Sequence, residues 1–334
     1  MTARIGINGF GRIGRAALRA AIEAGRQDVD IVAINDLTPA STCAHLLEFD
    51  SVHGRLNAEI CSSNDSIVVD GNRIRATAEK NPENLPWKDI DIVLECTGRY
   101  TSYSDAERHL KNGSGKVLLS APGKNVQKTI VYGVNHDSLE ATDKIVSNAS
   151  CTTNCLAPIA QILHESFGIE TGYMTTVHAY TGDQRVQDSP HADLCRARAA
   201  SVSMIPTSTG AARAISLVLP ELSGRLDGTA IRVPIPNVSA VDLKVMPTRL
   251  ADVEAVNAVF QQAAEGRLKG ILGVTDRPLV SIDFNHDPRS SVVALDQTSV
   301  TEGGLIRVLS WYDNEWGYAN RLLDTAVAMT LTHA

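Results

Sequence analysis

A strand, a glycine loop and a helix follow one another over residues 4–25, and few architectures accept that order. Residues 4–7 are short and rich in isoleucine, Gly9-Phe10-Gly11-Arg12-Ile13-Gly14 follows, and residues 16–23 carry helix formers up to Gly25, a helix stop. A second apolar run over 29–34 ends in Asn35-Asp36. Gly-x-Gly-x-x-Gly between a strand and a helix, with an acid about 20 residues further on, is the pattern of a dinucleotide-binding unit. Gly9, Gly11 and Gly14 let the backbone approach a pyrophosphate at a helix N-terminus, and Asp36 can accept hydrogen bonds from a ribose. A phosphate on that ribose would be repelled by Asp36, so the pattern predicts NAD rather than NADP as cofactor.

The rest of the first 150 residues alternates in the same way. Strands are expected at 67–69, 74–76, 90–95, 116–120 and 129–132, a helix at 105–111, and turns at Asn81-Pro82 and Ala121-Pro122-Gly123. This predicts a mostly parallel, doubly wound α/β sheet, whose ligands bind at the carboxyl ends of its strands. Thr97, Gly98 and Ser120 fall at such ends. Beyond residue 168 the pattern changes: strands are expected at 229–235, 241–246, 279–284, 291–295 and 305–312, helices at 208–219 and 252–265, and a long ordered loop over 183–201. Successive strands with few helices predict an α+β domain on a mostly antiparallel or mixed sheet. The expected division is 1–150 and 151–316, with a terminal helix over 317–334.

Composition narrows the partners. With 31 Lys and Arg against 38 Asp and Glu, the chain carries −7, a poor match for nucleic acid or an anionic membrane. No apolar stretch approaches the roughly 20 residues that span a bilayer, and no basic-then-apolar leader opens the chain. Six cysteines in 334 residues do not make a disulfide framework, so a reducing, cytoplasmic setting is expected.

One of those cysteines stands where chemistry is expected. Residues 147–158 read SNASCTTNCLAP, and small polar residues give way at Cys151 to an apolar pattern of helical period. Ser150 and Thr152 are residue types that satisfy free amides at a helix start. A cysteine there meets unpaired N–H groups and the positive end of the helix dipole, which favour the nucleophilic thiolate. Oxidation of a carbonyl also needs a base near neutral pH, and His178, at the end of a strand-like run reading TVHAYT, supplies one. Cys155 lacks further ligands at zinc spacing, so no metal is expected; a stress-induced disulfide or a buried thiol are its other readings.

These segments resemble those of phosphorylating glyceraldehyde-3-phosphate dehydrogenases of the bacterial type. The likeness covers the whole chain: 5–14 (IGINGFGRIG), 147–158, 196–198 (RAR), 205–212 (IPTSTGAA), 232–234 (RVP), 236–238 (PNV) and 311–315 (WYDNE). It implies a Rossmann-type cofactor domain, onto which the terminal helix packs back, an α+β catalytic domain, and a homotetramer. It further implies that Arg12, Ile13 and Asp36 hold NAD, with Thr97, Gly98 and Ser120 along its path, Asn314 on the nicotinamide amide and Tyr318 beside it. Thr181, Asp183 and Arg232 match the site for the substrate's own phosphate; Ser150, Thr152, Arg196, Thr209 and Gly210 match the site for inorganic phosphate. The implied reaction is attack of Cys151 on the aldehyde, oxidation with His178 as base, and phosphorolysis of a thioester.

Three positions depart from the family pattern. Cys195 stands where relatives often carry a basic residue, Ser189-Pro190 lies in a loop that bears on the choice of cofactor, and Gly182 replaces a frequent asparagine. The alternative within enzymes is an erythrose-4-phosphate dehydrogenase, against which Thr181, Thr209 and Gly210 stand. A redox-sensing or binding role for the thiol is the alternative from another class.

Overall fold

The computed structural model describes residues 2–332. The chain divides into two compact units, with breaks between Ser150 and Cys151 and between Tyr318 and Ala319. The first residue of the expected N-terminal domain and the last two of the expected 317–334 helix lie outside the described residues.

The first unit is built on a nine-stranded sheet in the order Lys128–Thr129, Ile145–Ser147, Lys116–Leu119, Ile92–Glu95, Ala3–Asn8, Val29–Asn35, Asn72–Thr77, Ser66–Val69 and Ile60–Ser63. The chain starts at the centre, fills one side of the sheet and then crosses back to fill the other. The strand order therefore reverses between Ala3–Asn8 and Ile92–Glu95, and the glycine loop leaves the sheet at that switch. Strands from Lys128–Thr129 to Asn72–Thr77 pair in parallel, as alternating helices require.

The far edge is the antiparallel part of this mostly parallel sheet. Ser66–Val69 and Asn72–Thr77 form an antiparallel hairpin, because Asp70 (φ 47°) and Gly71 (φ 79°) both take the left-handed backbone of a two-residue turn. The expected helix over 105–111 is two single turns, Tyr103–Ala106 and Arg108–Lys111, and the strand expected at 129–132 shrinks to Lys128–Thr129. The helix Ala40–Glu48, unmarked in the sequence reading, fills the connection after Asp36.

The final helix, Trp316–Leu331, contributes its residues from Ala319 onward to this first unit. It is held there by the wholly buried Lys116, whose ammonium donates to the Met329 carbonyl at 2.7 Å and the Thr332 hydroxyl at 2.9 Å. An ion pair from Arg26 to Asp324 at 2.7 Å adds a second tie.

The second unit has a seven-stranded mixed sheet in the order Ile205–Ser208, Leu226–Val233, Ile169–Ala179, Ser239–Pro247, Ile306–Tyr312, Ser291–Val300 and Leu272–Thr275. Two pairs are parallel and the others antiparallel. The helices Cys151–Phe167, Ala211–Val218 and Val253–Glu265 pack on it. Along Ile169–Ala179 burial alternates, with Met174, Thr176 and His178 buried and Tyr173 and Val177 exposed, which is the period-two signature of a sheet covered on one face.

Two expectations fail here as well. Residues 208–219 are not one helix: Ile205–Ser208 is a strand, and the helix starts at Ala211. The apolar run 279–284 is not a strand but a turn followed by a short 3₁₀ helix, Ser281–Phe284. Asp283 Oδ2 accepts the Val280 amide at 2.9 Å, offering the backbone a partner other than a ladder.

Candidate active site

The helix Cys151–Phe167 begins on the cysteine itself. Just before it, Ala149 is fully buried at φ 55°, a left-handed conformation that a non-glycine residue keeps only where its surroundings hold it. Part of that hold comes from Ser147, whose Oγ accepts the Ala149 amide at 3.0 Å and donates to the Ala121 carbonyl at 2.7 Å. The abrupt turn puts Cys151 at the first helical position.

Register brings the other groups to it. His178 pairs directly with Arg232 across two parallel strands, and His178 Nε2 stands 3.5 Å from Cys151 Sγ. His178 Nδ1 lies 2.7 Å from the Ala179 carbonyl, which can only accept, so Nδ1 carries a proton. The Nε2 lone pair of the neutral ring then faces the sulfur. Arg232 Nη1, 3.1 Å from Nδ1, donates instead to the Ala179 carbonyl and the Thr181 hydroxyl, both at 3.1 Å. Behind this pair Tyr312, 2% exposed, joins Thr152 Oγ1 at 2.9 Å to Thr176 Oγ1 at 3.0 Å and meets the His178 ring edge-on at 5.9 Å. The phenol thus ties the helix start to the histidine's strand.

Electrostatics modify one expectation. Burial pushes the Cys151 thiol up, outweighing Arg232 and the Thr152 and Cys151 amides that draw it down. Burial also pushes His178 down to about 3, and the Arg232 cation adds to that. The helix start favours the thiolate as expected, while desolvation pulls the other way, toward thiol and imidazole. A proton passing from Sγ to Nε2 generates the nucleophile without any change in net charge.

The residues matched to the two anion sites are partly joined. Asp183 accepts a hydrogen bond from the Thr181 hydroxyl and one from Arg196 Nη1, the latter at 2.8 Å. Burial alone would raise its carboxyl, but the Thr181 hydroxyl and the Arg232 and Arg196 cations hold it below the usual range. An ionised carboxylate does not receive a phosphate; its geometry is that of a bracket for Thr181 and Arg196. Arg196 Nε donates to Thr207 Oγ1 at 3.0 Å, and Thr207 donates to Asp193 at 2.6 Å. Thr209 and Gly210 belong to a separate group at the start of Ala211–Val218, where Thr209 Oγ1 accepts the Ala211 amide at 3.2 Å and Gly210 is the N-cap. Asn314 Oδ1 accepts Ser239 Oγ at 2.8 Å, and Tyr318 is buried at 5%. Tyr312, Thr207, Asp193 and Ser239 were not singled out by sequence, although three of them lie inside or beside the quoted segments. No residue type or spacing marked them as buttresses.

In the first unit the glycine loop caps Arg12–Glu23 through Gly11. A Cβ on Gly9 (φ 91°) would sit 2.6 Å from the Thr97 amide nitrogen, and one on Gly14 2.3 Å from the Gly9 carbonyl. Gly11 has nothing within 4 Å of its missing Cβ, which leaves the helix start open. Asp36 accepts the Phe10 amide at 2.8 Å and the Thr38 amide at 2.9 Å. Beneath Thr97, buried Glu95 accepts its amide at 2.8 Å and its hydroxyl at 2.5 Å, and is itself held by Asn8 at 2.6 Å and His109 at 2.9 Å. Asn8, Gly9, Gly11, Asp36, Leu37 and Thr97 line a cleft of about 390 Å³. Gly98 takes φ 69° beside it, and Ser120 follows the strand Lys116–Leu119. Arg12 turns its guanidinium to Asp50, and Ile13 is half-buried. An open helix start with an acid at the next strand end suits a dinucleotide.

The other thiols are placed differently. Cys155 is fully buried, its sulfur 3.5 Å from Ser291 Oγ, and burial pushes it up to about 12. Cys195 is exposed beside Arg196. Among the described residues no cluster of His, Cys, Asp and Glu is arranged to hold a metal.

Comparison with known proteins gives a consistent result. Residues 3–103 match the family model described as glyceraldehyde 3-phosphate dehydrogenase, NAD binding domain, and residues 150–314 match glyceraldehyde 3-phosphate dehydrogenase, C-terminal domain. Relatives named glyceraldehyde-3-phosphate dehydrogenase include one from Cereibacter sphaeroides, 60% identical over 98% of this chain and 99% of that protein. Others are from Xanthobacter flavus, 59% identical over 98% and 99%, and Geobacillus stearothermophilus, 55% identical over 98% of each.

Proposed function

Since the chain belongs to the glyceraldehyde-3-phosphate dehydrogenase family, we propose that it oxidises D-glyceraldehyde 3-phosphate and transfers the acyl group to inorganic phosphate, giving 1,3-bisphosphoglycerate. It is an NAD-dependent oxidoreductase. The observation that carries the reading is the Cys151 sulfur at a helix start, 3.5 Å from a histidine nitrogen whose lone pair faces it.

In this reading Cys151 attacks the aldehyde carbon as His178 Nε2 takes the thiol proton, forming a hemithioacetal. The Cys151 amide and protonated His178 stabilise its oxyanion. His178 returns its proton to that oxyanion and, free again as base, then removes the hemithioacetal hydroxyl proton; NAD would supply the hydride acceptor. The product is a thioester on Cys151, which conserves the oxidation energy until phosphate cleaves it. Gly9, Gly11, Arg12, Ile13, Gly14, Asp36, Thr97, Gly98 and Ser120 are proposed to hold the dinucleotide, and Asn314 and Tyr318 its nicotinamide. Thr181 and Arg232, set by Asp183, bind the substrate's phosphate; Ser150, Thr152, Arg196, Thr209 and Gly210 bind the inorganic one. Cationic groups with hydroxyl and amide donors are what an anion site needs.

A homotetramer in the cytoplasm completes the proposal. Supporting self-association, Val186, Leu194, Val202 and Met204 are 75–82% exposed on one irregular segment, and Tyr173 stands half-exposed on the uncovered sheet face. Among the described residues no helix is long and apolar enough to cross a membrane. The test is NADH formation from D-glyceraldehyde 3-phosphate and from erythrose 4-phosphate, each with and without phosphate. Phosphate-dependent turnover of the first supports the proposal; faster, phosphate-independent turnover of the second overturns it.

A further inference from the structure

We propose that Ser239 is a positioning residue for the nicotinamide end of the cofactor: its hydroxyl fixes which edge the Asn314 amide presents and couples that edge to the strand carrying His178. The inference rests on the reading of Asn314 as the nicotinamide residue.

Ser239, 1% exposed, opens the strand Ser239–Pro247. Its Oγ accepts the Ala179 amide at 3.1 Å and donates its proton to Asn314 Oδ1 at 2.8 Å. The flipped amide would set Nδ2 against Oγ and take away the acceptor that the hydroxyl proton uses. With the carbonyl oxygen committed to Ser239, the donor edge of Asn314 is left for a ligand, and a carboxamide oxygen is the acceptor it suits. Ala179 serves both sides of the site: its carbonyl fixes the His178 ring at 2.7 Å, while its amide, through Ser239, fixes Asn314.

The backbone around the pair is built to hold it. Val238, one residue before Ser239, is a buried β-branched residue at φ 67°, a strained conformation kept by packing against Phe284 and Val292. Asp313, one residue before Asn314, accepts Asn237 Nδ2 at 2.8 Å, the His286 amide at 2.7 Å and the Trp316 amide at 2.8 Å. Both main chains are thus pinned, and removing the Ser239 hydroxyl releases the amide of Asn314 rather than its backbone.

The test uses full-length Ser239→Ala, Ser239→Thr and Asn314→Ala enzymes. Calorimetry measures Kd for NAD and for ADP-ribose, which lacks the nicotinamide, and transfer from C1-deuterated D-glyceraldehyde 3-phosphate reports which face of the ring receives the hydride. Ser239→Ala should weaken NAD about five- to tenfold, leave ADP-ribose unchanged and deliver deuterium to both faces, while Ser239→Thr retains single-face transfer. Unchanged NAD affinity with single-face transfer in Ser239→Ala, while Asn314→Ala weakens NAD, overturns the role of Ser239 alone. Unchanged NAD affinity in Asn314→Ala overturns the reading beneath it. Equal losses for NAD and ADP-ribose in Ser239→Ala mark a merely structural residue and also overturn the proposal.

Discussion

Arg196 reaches Asp183, Nη1 to Oδ2 at 2.8 Å, and through that carboxylate it shares a bracket with Thr181. Residues matched to two different phosphates are therefore held by one acid. Losing the Arg196 contact should remove a charged hydrogen bond, about 1.5–3 kcal/mol, and weaken phosphate use roughly ten- to a hundredfold. Arg196→Ala should still give a burst of NADH near one equivalent per site and then stall at moderate phosphate. Asp183→Asn, which keeps an acceptor but not the ion pair, should shift KM for phosphate in the same direction by less. Steady full-rate NADH production without phosphate or arsenate would contradict this.

Brief iodoacetamide treatment at neutral pH should label Cys151 and spare Cys155, which is buried against Ser291 and pushed up to about 12. Desolvation opposes free ionisation of Cys151, so proton transfer to His178 Nε2 should assist formation of the nucleophile. His178→Asn should slow alkylation at neutral pH and restore it as pH rises toward the thiol's own ionisation. Peptide mapping with time-resolved labelling reads both; equal labelling of the two cysteines would refute the assignment.

NAD should exceed NADP in kcat/KM, since Asp36 would face the extra phosphate with a like charge. Asp36→Gly should narrow that preference, and it should also weaken NAD itself, because Asp36 accepts the Phe10 amide within the glycine loop at 2.8 Å. Steady-state kinetics on both cofactors decide it. An equal preference in the unmodified enzyme would move the determinant to the Ser189 loop.

Acid stability should carry a signature of His178. Its folded pKa is about 3, against 6.5 ordinarily, so between those values the unfolded chain holds a proton that the folded chain does not. Stability from this group is complete above pH about 6.5 and declines as pH falls toward about 3, by up to about 1.4 kcal/mol per pH unit. Denaturant titrations at pH 6, 5 and 4 should show a shallower decline for His178→Asn than for the unmodified protein.

Lys116→Met keeps most of the buried volume but loses both donors to the end of the terminal helix, Met329 O and Thr332 Oγ1. The Met329 carbonyl keeps the Thr332 hydroxyl at 2.8 Å, so the cost is that of the lost charged hydrogen bonds, about 1.5–3 kcal/mol. The denaturation midpoint should fall while KM for phosphate stays unchanged. An unaltered midpoint would show that other contacts hold the helix.

The sequence by itself determined what local chemistry can specify. Glycines at 9, 11 and 14 with Asp36 announce a dinucleotide loop because few other conformations use that spacing, and small polar residues before an apolar period announce a helix starting near Cys151. The period-two pattern around His178 likewise marks a strand. Where a side chain competes with the backbone the reading failed: Asp283 turned an apolar run into a 3₁₀ helix. The turn at Asp70-Gly71, which makes the edge strands antiparallel, was not marked either. Tertiary structure alone decided which groups meet. The pairing of His178 with Arg232 is a matter of register between strands about fifty residues apart, and the Thr152–Tyr312–Thr176 and Ala179–Ser239–Asn314 chains join residues up to 160 positions apart. Desolvation too is a property of the fold: it opposes the thiolate that a helix start by itself would favour, and no local pattern shows it.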